Sequence, residues 1–251
     1  MEQLSKQQLI ELLKSNISDF NNYREQLREN GIQSIDLSDV ELDNAFLAGA
    51  DLSQSVLTNS SFKRTYLNGA SLIGSDISGS DLSSCDLRGA FLCDAVLAGV
   101  ILNDAVLCGS DFSNANLRNA NLRKADFSGA DLSNVNLEGA VATDAGFCGV
   151  DASNANVKNV NFTYSDLSGS DFSNADFKQA NLSKTDFSGA DLSNVDLSGA
   201  NFTDSDISGA DLSDSTVNET DFSHSGLYGV DFNNTDLSKA IIDEEFINED
   251  E

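Results

Sequence analysis

Seven aspartates stand twenty residues apart in the C-terminal half of the 251-residue chain. They are Asp111, Asp131, Asp151, Asp171, Asp191, Asp211 and Asp231. Such a column of carboxylates could bind cations, present a DNA-like negative surface, or accept backbone hydrogen bonds at turns, as Asp and Asn often do. The surrounding residues do not form a preorganised calcium cage with carbonyl and bidentate ligands. The sequence therefore predicts no metal site, and the acidic column stays a candidate for DNA mimicry.

The side chains that most often perform catalysis are scarce and isolated. His224 is the only histidine, and a general base needs a partner and a pocket. No second histidine is available to activate a cysteine, and no CxxC pair indicates zinc. The cysteines are Cys85, Cys93, Cys108 and Cys148. They are too widely spaced for a disulfide scaffold, so the sequence predicts free thiols and a non-enzymatic protein without a cofactor.

The charge balance and the hydropathy pattern exclude several classes of protein. The chain holds 14 Lys and Arg against 41 Asp and Glu, with a formal net charge of -27. Direct nucleic-acid binding is not expected, because this charge repels phosphate. No apolar run approaches the roughly 20 residues of a membrane helix, and the N-terminus lacks a basic-then-apolar signal pattern. We therefore expect a cytoplasmic protein with no membrane contact.

The elements that position these residues follow a period of five. Every fifth residue from Ile32 to Ile242 is apolar, usually Leu or Phe, without one insertion. The residue two before each of these central positions is small or β-branched from Ile35 onward. An α-helix needs a spacing near 3.6 and a flat strand one near 2, so neither explains the period. A fixed internal period indicates a solenoid, in which each unit buries its apolar side by stacking on its neighbours.

The units at residues 130–134 and 190–194 both read ADLSN, and they closely resemble the A(D/N)LXX motif of pentapeptide-repeat proteins. The resemblance covers most of the chain, because the register never slips. It implies a right-handed quadrilateral β-helix with four pentapeptides per coil, in which the central residue and the small residue two before it point inward. The predicted fold class is an all-β solenoid with a short N-terminal α-helical cap. Glycine two residues after the centre, on alternate units, supports the four-fold winding, because such turns need a positive φ.

The repeat divides the chain into three parts. Residues 1–31 lack the period and are predicted to form two helices, the second capped by Ser18 and Asp19. These helices close the open end of the β-helix of residues 32–242, with binding to a partner as the alternative. Residues 243–251 form an acidic tail. The apolar residues near the C-terminus are Ile241, Ile242, Phe246 and Ile247. They could cover the last coil or join two molecules, so a monomer and an end-to-end dimer both stay open.

Apolar residues replace the usual Asp or Asn at several outward positions, just before the central residue. The predicted ring around one coil is Phe91, Val96, Ile101 and Val106. In steps of twenty, Val106 follows Phe46, Tyr66 and Asp86, which makes this the least acidic face of the rod. An exposed apolar patch is informative, although such side chains could also lie along the wall or be covered by the N-terminal helices. The predicted partner-binding residues are Phe46, Tyr66, Phe91 and Val106.

Two functions fit these features. The first is a rigid, non-enzymatic scaffold for an unidentified protein partner. The alternative is a DNA mimic that modulates gyrase or another topoisomerase, which the resemblance implies for some members of the family. Residues 111–242 hold 18 Asp, 2 Glu and 7 Lys or Arg. Over about 31 Å of rod, their net charge approaches the density of duplex DNA, about one charge per 1.7 Å. The chain has neither an interrupting loop nor a convincing dimer module, both of which occur in the family.

Overall fold

Parallel β-bridges between residues twenty apart wind most of the chain into a rod with four sides. The computed structural model describes residues 3–243. The bridges within this part run from Asp36–Val56 to Asp221–Ile241. Four pentapeptides therefore make one coil, as predicted, and each side contributes one bridged residue per coil rather than a long strand. We name the sides faces I, II, III and IV, after the first bridged residue of each: Asp36, Glu41, Phe46 and Asp51.

Two residues of each pentapeptide point into the rod, and the other three point outward. Every central residue from Leu37 to Leu227 is buried, and so are almost all residues two positions before a centre. Like side chains meet along each face, as in the parallel stack of Phe127 on Phe147, whose ring centroids are 4.8 Å apart. Tyr66 remains outward, as predicted. The core is therefore a narrow column. Because each coil contacts only the coils on either side, a defect in one coil should destabilise mainly its immediate neighbours.

A left-handed backbone conformation turns the chain at each corner, two residues after the centre. The φ angles at these corners lie between 53° and 71°. Backbone hydrogen bonds join the coils on each side of the turn. On face IV, for example, Leu52 N donates to Ser71 O at 2.8 Å, and Ser71 N donates to Ala50 O at 2.9 Å. These two bonds recur from coil to coil, so a coil without a neighbour leaves both kinds of backbone group unpaired.

Two helices precede the first coil, α1 at Lys6–Ser15 and α2 at Ile17–Glu29. Ser5 and Gln8 form a capping box at the start of α1. Helix α2 begins earlier than predicted, because Asn16 rather than Ser18 or Asp19 is its N-cap residue and accepts a hydrogen bond from Asp19 N. Within the described residues, neither helix is both long and apolar enough to span a membrane.

Helix α2 lies against face IV and supplies the hydrogen bonds that a preceding coil would make. Asn21 Oδ1 accepts from Asp51 N at 2.8 Å, and Arg24 Nε donates to Asp51 O at 3.3 Å. Arg24 Nη2 also donates to Ser53 O at 2.6 Å and to Gln33 O at 3.0 Å. Arg24 is completely buried. Side chains of α2 thus pair with backbone groups of face IV that a neighbouring coil would pair with elsewhere.

A short 3-10 helix at Leu237–Lys239 follows the last complete coil. Ile241 is about half exposed and pairs with Asp221. Phe246 and Ile247, and all of the predicted tail except Asp243, lie outside the described residues. The end-to-end dimer therefore stays a prediction.

Candidate protein-binding surface

Face III carries three of the four predicted partner-binding residues in one bridged column. Phe46, Tyr66 and Val106 are 74%, 44% and 36% exposed, and Asp86 lies between the last two. The rings of Phe46 and Tyr66 are stacked, with centroids 4.7 Å apart and planes only 4° from parallel. The column is therefore a continuous outward surface with an aromatic pair at its N-terminal end.

The N-terminal helices leave this aromatic pair open. Lys6 of α1 reaches Ser38 Oγ on face I at 3.1 Å, and Lys14 donates to Glu41 O on face II at 2.9 Å. Helix α2 contacts face IV through Arg24 and its neighbours. With Phe46 still three-quarters exposed, the alternative in which the helices cover this patch does not describe the structure.

An ion pair neutralises the charge that interrupts the apolar column. Arg88 Nε donates to Asp86 Oδ1 at 2.8 Å, and Arg88 Nη2 donates to Asp86 Oδ2 at 2.6 Å. The hydrogen bonds from Arg88 hold the pKa of Asp86 below its ordinary value, against the opposing effect of burial. The ion pair is partly exposed and adds little to stability. Its consequence is that face III carries no net charge from Phe46 to Cys108.

Phe91 lies on face IV, around the corner from the other three predicted residues. It is 48% exposed and bridges to Ser71 and Asp111, so it stands in the column that continues as the acidic ladder. The other members of the predicted ring, Val96 and Ile101, belong to faces I and II. The structure therefore places Phe91 and Ile101 around the two corners of face III, next to Asp86 and Val106 respectively, and Val96 on the opposite side of the rod.

One corner of the rod, between faces III and IV, is glycine in every coil. Its members are Gly49, Gly69, Gly89, Gly109, Gly129, Gly149, Gly169, Gly189, Gly209 and Gly229. From Gly49 to Gly209, an added Cβ would meet nothing within 4 Å. The positive φ alone does not demand glycine, because Lys124 and Asn134 hold φ angles of 58° and 57° at the same step of other corners. We call this edge the glycine corner. The repeated spacing of twenty was visible in the sequence, but its meaning depends on which faces meet there.

The seven aspartates of the predicted ladder form one bridged column on face IV. Each accepts a hydrogen bond from the backbone N–H two residues later, as Asp171 Oδ1 does from Ser173 N at 2.8 Å. Within residues 3–243, their Oδ2 atoms accept no hydrogen bond from a protein group. One oxygen therefore shapes the turn while the other remains available at the surface. No cluster of His, Cys, Asp or Glu in this part of the chain is arranged to hold a metal ion.

Charge is divided unequally between the sides of the rod from Asp111 to Asn234. Faces III and IV carry only acidic charge there, and face III adds Asp126, Asp166, Asp186 and Asp206 to the ladder. The basic residues lie on faces I and II or at the corner where face II ends. They are Arg118, Arg123, Lys124, Lys158, Lys178 and Lys184. Several are already paired, as Lys158 is with Asp176 at 2.9 Å and Lys178 with Asp196 at 2.7 Å. The glycine corner is thus flanked on both sides by unpaired acid.

The histidine and the cysteines do not assemble into a reactive group. His224 is exposed and lies 3.3 Å from Asp243 Oδ2. Burial raises the pKa of Cys85 to about 12. Burial and a hydrogen bond to Asp126 raise the pKa of Cys108 to about 11. All four cysteines carry free thiols. These environments disfavour the thiolate at Cys85 and Cys108, so they offer no activated nucleophile.

The family model that matches the chain is described as Pentapeptide repeats, in 8 copies. The matched residues are 35–74, 75–114, 101–139, 143–179, 170–209, 180–218 and 205–242. The match covers the β-helix almost without a gap. No curated protein matches the chain.

Among solved structures, HetL, a pentapeptide repeat protein involved in heterocyst differentiation regulation from the cyanobacterium Nostoc sp. strain PCC 7120, is 28% identical. That comparison covers 88% of this chain and 96% of HetL, with a TM-score of 0.48. A trypsin-treated form of QnrB1, a plasmid-mediated fluoroquinolone resistance protein, is 21% identical over 85% of this chain and 94% of that chain, with a TM-score of 0.47. Rfr23 from the cyanobacterium Cyanothece 51142 is 16% identical over 90% and 99%, with a TM-score of 0.17.

Proposed function

We propose that this chain, which belongs to the pentapeptide repeat family, is a rigid non-enzymatic scaffold that binds a protein partner through face III. The observation that supports this most is the exposed column of Phe46, Tyr66 and Val106, with its stacked aromatic pair, on a rod whose outward positions are mostly polar or acidic. Aromatic residues are enriched among the side chains that dominate protein interfaces. A solenoid holds them in a fixed array, so a partner would meet a surface that needs no reordering.

The stacking of Phe46 on Tyr66 at the surface contributes little to the stability of the free protein. Cross-strand aromatic pairs contribute about 0.5–1.5 kcal/mol beyond the area they bury. Covering a ring as exposed as that of Phe46 would contribute about 1.5–3 kcal/mol more. The larger gain is therefore available only when a second molecule covers the pair, which favours a binding role over a purely structural one.

Replacing Phe46 with Asp tests this proposal, because the side chain is outward and its loss leaves the core intact. We expect the variant to fold normally and to lose the partner. The matched control is Val96→Asp, which makes the same kind of change at the same slot on face I, where Val96 is 39% exposed. The partner is first identified by affinity capture from the native cell and then measured by calorimetry with purified proteins. Equal affinity for the wild type and Phe46→Asp would contradict the proposal.

A second candidate, a DNA mimic that modulates gyrase or another topoisomerase, is favoured by the unpaired acid on faces III and IV. Asparagine can replace aspartate there without losing the turn, since Asn136 Oδ1 already accepts from Glu138 N at 3.0 Å on face I. We expect wild-type protein to alter DNA supercoiling by gyrase, with an effect that fades as salt rises. Replacing Asp131, Asp151 and Asp171 with Asn should weaken it. No effect on supercoiling, or an effect that survives these substitutions, would argue against DNA mimicry.

We also propose that residues 1–31 act as a cap on the β-helix and that the protein works in the cytoplasm. The cap is supported by the hydrogen bonds of Asn21 and Arg24 to the edge of face IV. The free thiols of all four cysteines are typical of a reducing compartment. Fractionation of native cells tests the compartment directly.

A further inference from the structure

We propose, building on the scaffold function, that the partner presents a basic segment that lies lengthwise along the glycine corner. The apolar end of this segment contacts Phe46, Tyr66 and Phe91, and its lysines or arginines face the carboxylates farther along faces III and IV. The partner is thus a protein with a cationic, extended or helical segment that carries an apolar anchor.

The apolar anchor site spans the corner rather than one face. Tyr66 and Val106 lie on face III, while Phe91 lies on face IV in the next pentapeptide after Asp86. Arg88 and Gly89 form the turn between the two faces; the Arg88 side chain pairs with Asp86, and a Cβ at Gly89 would meet nothing within 4 Å. Because no side chain projects from the glycine column itself, one bound segment can contact both faces together.

The charge beyond the anchor has one sign on both sides of the same corner. From Asp111 to Asp231, the face IV carboxylates follow one another at about 4.8 Å, over about 29 Å of rod. Face III contributes four more, and these two faces hold no Lys or Arg in that described stretch. The opposite side of the rod already pairs its cations with its own acid, as at Lys158 and Asp176. A cationic segment therefore gains most along the glycine corner.

A second copy of this chain is a poor occupant for the same corner. Its own net charge is -27, and its matching surface would bring like charges together.

The absence of side chains along the glycine corner also has a steric consequence. Other corners accept long side chains, such as Lys124 at φ 58° and Tyr164 at φ 65°, but the glycine corner lets a backbone approach the rod closely. The lysines of the bound segment could then reach carboxylates on either face.

The test uses a fluorescein-labelled peptide with a terminal Leu-Trp pair followed by alternating lysine and serine, and fluorescence anisotropy measures its affinity. Gly129→Lys with Gly149→Lys obstructs the glycine corner. Gly99→Lys with Gly79→Lys adds the same charge at the corner between faces I and II, where Gly99 also has open space and a Cβ at Gly79 would meet only the side-chain oxygen of Asn59, at 3.0 Å. Lys184 at φ 60° shows that lysine is accepted at such a corner. We expect about fourfold weaker binding per lysine at the glycine corner, and less than twofold in the control.

Equal weakening by both pairs would mean that the peptide senses only the total charge of the rod, and it would overturn the proposal. No weakening by either pair would overturn it as well. If the lysine variants fail to fold by circular dichroism, Asp131→Asn with Asp151→Asn replaces them and must weaken the peptide similarly. Tyr66→Asp should weaken this peptide but not one that lacks the Leu-Trp pair.

The same variants separate this proposal from the scaffold function. If Phe46→Asp abolishes binding of the native partner but the lysine variants at the glycine corner bind it with full affinity, the scaffold function is supported and the proposed binding along the glycine corner is refuted. A native partner that is retained on Phe46→Asp would instead refute the scaffold function itself.

Discussion

Arg24→Met removes the side chain that joins helix α2 to face IV while keeping a similar volume. Three carbonyl oxygens, of Asp51, Ser53 and Gln33, then lose a charged donor. Arg24 is fully buried, so water does not readily replace the guanidinium. Burial lowers the pKa of Arg24, and its Nη1 has no hydrogen-bond partner in the described part of the chain.

The expected loss follows from these contacts. Leaving a buried carbonyl oxygen without its donor costs about 1–3 kcal/mol, and three carbonyl oxygens lose theirs here. The unpaired Nη1 already forfeits part of what the wild-type side chain could contribute. We therefore expect a loss near the lower limit, about 3 kcal/mol. Since each coil contacts only its neighbours, the loss should be confined to the helices and the first coils.

Hydrogen exchange and urea denaturation measure this loss. Arg24→Met should raise exchange in residues 33–60 and leave the amides beyond residue 110 unchanged. It should also promote association in size-exclusion chromatography, because an uncovered β-edge accepts another strand. The control is Arg28→Met one turn later, where the pair with Asp51 is partly exposed and about 1 kcal/mol is expected. Equal losses in the two variants, or uniform exchange along the whole rod, would refute this reasoning.

Three further predictions concern titration and packing. Burial acts to raise the pKa of Asp51, but hydrogen bonds from Ser53 and Arg28 outweigh it and hold that pKa below its ordinary value. This contribution to stability is present above the unfolded-state pKa, about 3.9, and is lost as pH falls through the folded pKa. The wild type should therefore be more stable than Asp51→Asn near neutral pH, and this advantage should shrink at low pH. A difference in stability that stays constant with pH would contradict this prediction. With its pKa raised to about 12 by burial, Cys85 should resist iodoacetamide until the protein unfolds, whereas the exposed Cys148 should react in the native state, and mass spectrometry of labelled peptides checks both. Phe147→Ala should cost about 3–5 kcal/mol in urea denaturation, because its ring packs on two other phenylalanine rings at centroid distances of 4.8 and 5.0 Å, and a loss well below 1 kcal/mol would show that the core repacks.

Much of the rod could be predicted from residue numbers alone. In a solenoid, a residue meets the residues at a constant offset, so a period of five with four units per coil assigns each side chain to a face. Tyr66 and Phe91 were predicted to point outward, and they do. The turn-shaping hydrogen bonds of the ladder follow from the same logic, because Asp bonds locally to the backbone two residues later. The right-handed sense of the coil stays a prediction.

The N-terminal helices show where this logic ends. Asn16, Ser18 and Asp19 are all good N-cap residues, and the structure shows that Asn16 is the one whose extended backbone separates α1 from α2. Arginine is usually exposed, so nothing in the local pattern marked Arg24 as the side chain that replaces a missing coil. The division of charge between the sides of the rod and the exposed position of the glycine corner became visible only once the structure showed which faces meet at each corner. The sequence period determines which residues share a face, because contacts between coils repeat at one constant offset. The docking of a helix depends on contacts that occur only once in the chain, so only the tertiary structure decides them.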